Sequence, residues 1–227
     1  MKIAEIFYSL QGEGSLLGVP SVFVRTSGCN LRCTWCDTPY TSWRAEGEDL
    51  SIRQIVDQVQ SFDASHAVIT GGEPMIMPDI AALTDAIGSI GMHITIETAG
   101  TAYSPVRCDL MSISPKLANS TPWEREDGRW AAQHERLRYR PDVLRKLIAE
   151  YVHQVKFVVA SPDDLVEICR MQIDLSFAPA STILMPEGTE RDVLRGRGLW
   201  LAEVCKEHGF RFSPRLHVEL WGNQRGI

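Results

Sequence analysis

The sequence predicts an α/β fold built as an open, incomplete TIM-type barrel of about six parallel strands. Three observations predict it. Apolar, β-branched runs alternate with amphipathic helical patterns, the signature of strand–helix–strand units with right-handed crossovers. Roughly six or seven runs read as strands and about four segments as good helices, too few for a closed barrel of about 250 residues. No internal repeat or low-complexity tract divides the chain, so a single domain over 1–227 is expected, with a polar insertion at about 117–150.

The elements follow in order. PSVFVRTS (20–27) is rich in Val and Phe and stops at Gly28. SIRQIVDQVQSF (51–62) opens with a capping-box pair, Ser51 and Gln54, and gathers Ile52, Ile55, Val56 and Val59 on one face. HAVIT (66–70) is a short buried strand that ends in Gly71-Gly72. The helix at 78–91 starts at Pro78 and stops at Gly91, with Ile80, Leu83, Ile87 and Ile90 on one side. MHITIET (92–98) and DLMSIS (109–114) read as strands. Residues 117–140 are polar, with Trp123 and Trp130 as isolated aromatics, and read as an insertion or lid. HQVKFVVA (153–160) resumes the strands. Ser161-Pro162-Asp163-Asp164 supplies a cap, an N1 proline and first-turn acids for another helix. TILMP (182–186) is a strand, 189–208 reads as a helix despite Gly196 and Gly198, and RLHVELW (215–221) reads as a last strand. In such a fold ligands lie beyond the carboxyl ends of the strands.

Composition narrows the class. The chain is 44% hydrophobic and 23% charged, an ordinary globular balance. No apolar run approaches the ~18 residues of a membrane span. The start, MKIAEIFYSLQGEG, carries one Lys and then Glu5, unlike a secretory leader, so a cytoplasmic enzyme is expected. Net charge is −6, and the densest basic stretch, Arg136 to Arg140, follows Glu135. That argues against nucleic acid as a partner, and leaves room for a small anionic substrate held by one or two arginines.

Three of the six cysteines, Cys29, Cys33 and Cys36, fall within eight residues at the end of the 20–27 strand. Cys108, Cys169 and Cys205 are scattered through apolar segments and read as core. A tight triplet of thiolates suits an iron–sulfur cluster, which usually takes four protein ligands, so one iron would stay open for chemistry. The alternative is structural zinc, which wants four closed ligands. Here no fourth Cys or His follows nearby, and His66 and Cys108 are the only candidates to complete a set in space.

At Cys29-x₃-Cys33-x-Trp35-Cys36 the chain resembles the radical S-adenosylmethionine (SAM) superfamily. The run Gly71-Gly72-Glu73-Pro74 resembles that superfamily's second element. The flanks are more specific. YSLQGEG (8–14), SVFVRTSGCNLRCTWCDT (21–38), ITGGEP, ISPK (113–116) and a WGN-containing C-terminus resemble the 7-carboxy-7-deazaguanine synthase family. The likeness covers nearly the whole chain except 117–150.

The resemblance implies a radical SAM core, which is a partial TIM barrel, and a [4Fe–4S] cluster on Cys29, Cys33 and Cys36. It implies that SAM chelates the open iron and is split by one electron to methionine and a 5′-deoxyadenosyl radical. The family turns 6-carboxy-5,6,7,8-tetrahydropterin into 7-carboxy-7-deazaguanine with loss of ammonia, in the 7-deazapurine (queuosine) pathway, and uses Mg²⁺. The implied SAM contacts are Trp35, Asp37, Gly72, Ser114, Pro115 and Lys116, and the implied Mg²⁺ ligand is Thr38. The implied substrate contacts are Leu10, Gln11, Gly12, Glu13, Arg25, Thr70, His217 and the C-terminal Ile227. A flavodoxin-type electron donor and a homodimer are implied as partners.

The residue types make chemical sense of this. Gln11 and Glu13 offer donors and acceptors to the edge of an aminopyrimidinone ring, and Arg25, a charge inside an apolar strand, offers a fork to a carboxylate. Thr38 offers a hard oxygen. Each also has a plain structural reading. Gln11–Gly14 can be a turn after the first strand, Arg25 an ion-paired strand residue, and Trp35 core packing. Gly71-Gly72 and Thr38 can be turns, Asp37 a helix cap, Ser114 and Lys116 surface, and His217 a satisfied strand histidine. Competing functions are another small radical SAM enzyme, such as a glycyl-radical activase, and a non-catalytic zinc module or iron–sulfur carrier. Replacing Cys33 by Ala is expected to abolish 5′-deoxyadenosine formation by the reduced protein with SAM, and full activity in that variant contradicts the cluster assignment.

Overall fold

A computed structural model describes residues 1–227. β1 (Lys2–Leu10) and β2 (Pro20–Thr26) pair antiparallel, with a bulge between Ile3 and Glu5. The cysteine loop follows, then the single turn α1 (Pro39–Ser42) and the short β3 (Glu48–Asp49), which pairs with the outer edge of β1. From here the chain alternates. The order is α2 (Ile52–Gln60), β4 (His66–Gly71), α3 (Ile80–Ser89), β5 (His93–Thr98) and β6 (Leu110–Ile113). Then come α4 (Ala131–Arg138), α5 (Pro141–Glu150), β7 (His153–Val159), α6 (Asp164–Leu175) and β8 (Thr182–Pro186). α7 (Arg191–His208), β9 (Arg211–Phe212) and α8 (Leu216–Trp221) end the chain.

All nine strands form one sheet in the order β3-β1-β2-β4-β5-β6-β7-β8-β9. Every pairing from β2 to β9 is parallel. β3 and β9 are its two edges, so the sheet stays open and the barrel is partial, as the strand count predicts. Residues 67–70 of β4 are buried on both faces, which explains their unbroken apolar character in sequence. One cluster of 30 buried residues joins strand positions such as Ile69, Ile96 and Phe157 to helix positions such as Val59, Leu83 and Ile168.

Two local signals held. The Ser51 and Gln54 capping box forms in both directions, at 3.3 Å and 2.9 Å. α7 runs through Gly196 and Gly198 and stops at Gly209, whose left-handed φ of +70° suits glycine. Three expectations are corrected. RLHVELW is not a strand: residues 216–221 form α8, following Arg215, which is tied inward to Glu13, Asp37 and the Gly188 carbonyl instead of lying along the sheet edge. Ser161 does not cap α6; the turn at 161–163 precedes the helix, and Asp164 accepts the amides of Ala160 and Ser161. Pro78 is not the first helical residue of α3, which starts at Ile80. Within 117–150, α5 contributes Leu144 and Leu147 to the main core as a regular crossover helix between β6 and β7.

Phe157 is fully buried in β7 with Phe177 6.2 Å away. Phe157→Ala is expected to cost about 3–5 kcal/mol, read as a fall in the urea midpoint with little change in slope.

Candidate active site

A cavity of about 510 Å³ opens at the carboxyl ends of the parallel strands. Thr70–Gly72 ending β4, Glu97–Ala99 ending β5, and Lys156 of β7 all line it. Of the residues the resemblance assigns to cluster, SAM, Mg²⁺ or substrate, all but Pro115 border this cavity, including Leu10, Gly12, Ser114 and Ile227.

Cys29, Cys33 and Cys36 stand on one wall, none in a disulfide. Burial pushes the Cys29 thiol up to about 12 and the Cys33 thiol higher still. Such thiols are inert until a metal displaces their protons. Neither residue proposed to complete a zinc set is near. His66 stands at the amino end of β4, its ring centre 4.5 Å from that of His93 with the rings tilted, and Cys108 precedes β6. Three thiols beside an open cavity, without a fourth ligand, fit a cluster with one exposed iron.

The loop is fixed by its neighbours. Gly72 lies so close to it that a Cβ there would overlap the Gly28 carbonyl and Cys29 Cβ. The glycine pair therefore lets the β2 and β4 loops lie side by side. The Glu73 amide donates to the Gly28 carbonyl at 2.9 Å. The Glu73 carboxylate is fully buried, which raises its pKa, and it accepts from Thr98 at 2.7 Å and from the amides of Ala99 and Met75. The polar segment after β6 also holds the loop. The Thr34 amide donates to Ser120 (2.8 Å), the Trp35 indole to Asn119 (3.1 Å), and Arg125 to the Thr34 carbonyl (2.9 Å).

The same cavity is lined by a network of charges whose two cations, Lys156 and Arg215, are buried. Lys156 is 5% exposed; it bonds Glu13 and approaches Glu97 to 3.9 Å. Arg215 reaches Glu13 at 3.2 Å and also bonds Asp37. Burial alone would raise Glu13, but Lys156 and Arg215 hold it far below the usual carboxylate range. Asp37 is likewise lowered, burial being outweighed by Arg215. Gln11 donates to Glu97 at 3.3 Å, and Thr70 donates to its other oxygen at 2.8 Å. Asp37 thus pairs with Arg215 rather than capping α1, whose N-cap is Thr38.

The remaining predicted residues are ordered around this network. Glu5 bonds Arg25 Nε at 2.6 Å and accepts from Tyr40 at 2.8 Å. The Thr38 hydroxyl is 3.9 Å from Cys36 Sγ. Lys116 folds back on Ser114 at 2.9 Å and lies 6.0 Å from the Trp35 ring centre. His217 leans on Gly12, where any Cβ would collide with its Nδ1, and burial keeps the imidazole below its ordinary pKa. Glu97, Lys156, Arg215 and Glu5 were not anticipated, and Glu73 only as part of the Gly71–Pro74 run. Glu97 and Lys156 carry the signal that marks Arg25, a charge inside an apolar strand.

Comparison with known proteins accords with this geometry. The radical SAM superfamily profile matches residues 23–115. A 7-carboxy-7-deazaguanine synthase from Halobacterium salinarum is 45% identical over 98% of this chain and 91% of its own. The chain belongs to the 7-carboxy-7-deazaguanine synthase family. A relative of that name from Rhodopirellula baltica is 44% identical over 99% of this chain and 88% of its own. The crystal structure of QueE from Escherichia coli superposes with a TM-score of 0.69 at 27% identity, covering 95% of this chain and 94% of that one. Membership makes the chain a radical SAM enzyme with a role in the queuosine pathway, and implies a [4Fe–4S] cluster and SAM. No helix is long and apolar enough to cross a membrane.

The network sets a pH test. Because Glu13 and Asp37 lie below their ordinary values, their contribution to stability is complete above about pH 5 and drains away as pH falls. Lys156→Met leaves Glu13 and Glu97 poorly compensated and is expected to cost about 3–5 kcal/mol near pH 7. The gap to wild type should narrow toward pH 5, where a buried carboxylate can take up a proton; urea denaturation at both pH values reads it.

Proposed function

We propose that this enzyme converts 6-carboxy-5,6,7,8-tetrahydropterin to 7-carboxy-7-deazaguanine with release of ammonia. The observation that carries this reading is one cavity lined by three thiols together with a paired arginine, carboxylates and an amide. That polar lining suits a small acid with an aminopyrimidinone edge. Bound to Cys29, Cys33 and Cys36, a [4Fe–4S] cluster would supply the electron that splits SAM into methionine and a 5′-deoxyadenosyl radical.

The chain's own residues bind and orient. Arg25, its Nε held by Glu5, offers its remaining fork to the substrate carboxylate. Glu13, kept ionised by Lys156 and Arg215, accepts N–H groups of the ring edge. Gln11, Thr70, Leu10, Gly12, His217 and Ile227 complete that lining. Trp35, Asp37, Gly72 and the Ser114–Lys116 strand end hold SAM. Thr38 would offer its hydroxyl oxygen to Mg²⁺, a hard cation that takes oxygen ligands. A flavodoxin-type donor, a homodimer and a cytoplasmic location complete the reading.

The deciding experiment is anaerobic cluster loading followed by incubation with reductant, SAM and the tetrahydropterin acid. The deazapurine should form and increase with Mg²⁺, and a product lacking the contracted ring overturns the substrate assignment. Thr38→Ala is expected to keep its cluster and lose most of the Mg²⁺ stimulation; an unchanged Mg²⁺ response removes Thr38 from the metal.

A further inference from the structure

His134, on α4, lies outside the cavity and is 1% exposed. Its ring sits behind the cysteine loop. The Arg32 amide, one residue before Cys33, donates to His134 Nδ1 at 3.1 Å. Nδ1 is therefore the acceptor, so Nε2 carries the proton and donates to Ser120 Oγ at 2.8 Å. The Ser120 hydroxyl in turn donates to the Leu117 carbonyl at 2.6 Å. The chain of bonds has one consistent direction and fixes one tautomer.

The rest of the loop shows why this matters. Its carbonyls are also taken from behind. Arg32 Nη1 bonds the carbonyls of Cys29 and Leu31, each at 2.7 Å, and the Trp43 indole donates to the Cys33 carbonyl at 3.0 Å. With Ser120 and Arg125 on Thr34, the loop's polar backbone is turned outward. The exception is the Leu31 amide, which donates to Cys29 Sγ at 3.4 Å. The Arg32 amide lies between two of the thiol-bearing residues and needs an acceptor. Without the imidazole, water or sulfur is what remains to it. Hydrogen bonds to sulfur are one of the means by which a protein sets a cluster's potential.

We propose that His134 is a positioning residue for the cluster loop, holding the Arg32 amide outward so that Cys29 and Cys33 keep their spacing and the cluster gains no extra hydrogen bond. The proposal rests on the reading that Cys29, Cys33 and Cys36 carry the cluster. It assigns the segment after β6 a role as buttress of the metal loop, by a residue that touches neither cofactor nor substrate.

The test uses the full chain, loaded anaerobically, as wild type, His134→Leu, His134→Asn and Ser120→Ala. Iron content, iron transfer to a chelator, the spin-resonance spectrum of the reduced cluster and its midpoint potential are measured, with circular dichroism as a control for folding. His134→Leu should lose iron roughly 10–100-fold faster, in line with other supports of metal ligands. Its potential should move positive and its spectrum change. His134→Asn keeps an acceptor near Nδ1 and should recover most of the wild-type behaviour. A folded leucine variant with wild-type iron transfer and potential overturns the proposal, as does an asparagine variant as impaired as leucine. If the leucine variant does not fold, Ser120→Ala decides: faster iron loss than in His134→Asn supports the assignment, and wild-type values overturn it. A wild-type protein that binds no cluster would instead sink the cluster reading itself.

Discussion

The site depends on a chain of charges, Asp37–Arg215–Glu13–Lys156–Glu97, whose two cations are buried and which ties together five segments remote in sequence. These are the cysteine loop, the end of the chain, the loop after β1, β7 and β5. Buried ion pairs contribute little net stability compared with an apolar core of equal volume. What this network supplies is geometry. Glu13 is held ionised against the burial that would otherwise raise its pKa, and each cation is surrounded by partners that fix its direction.

The thiol wall follows a different rule. It is apolar around the sulfurs: Leu31, Cys33 and Ala99 form their own small buried cluster, with Trp35 and Leu137 against it. The backbone of the loop would be costly in such surroundings if left unpaired, and side chains behind it take up its donors and acceptors. The cavity thus combines polar side chains facing in with a thiol loop whose polar backbone faces out.

Much of this was legible in sequence, and the reasons for the failures are physical. Strands β2, β4, β5, β7 and β8 announced themselves because strands covered on both faces are apolar and β-branched over much of their length. The triplet and its glycines were legible because thiols at that spacing have few other uses. RLHVELW misled because its alternation of apolar and polar residues fits an edge strand as well as a short helix. Arg215, just before the helix, is turned inward by contacts with residues about 30 to 200 positions away, which no local pattern contains. Glu97 and Lys156 were hidden for a related reason. Each looks like an isolated charge in its own strand, and only the sheet order brings them within 3.9 Å. Arg25 could be singled out as a charge in an apolar strand, but its partner Glu5 was supplied by the antiparallel pairing of β1 with β2, in which the two residues stand in register.

An unclosed barrel has a cost that a closed one avoids, since it exposes two rims of unpaired amides and carbonyls. Both rims here end in strands of two residues, Glu48–Asp49 and Arg211–Phe212. Strands so short offer almost nothing for a foreign chain to copy, and the paired acids on one rim repel their like. The fold can therefore leave its barrel open without becoming a template for aggregation.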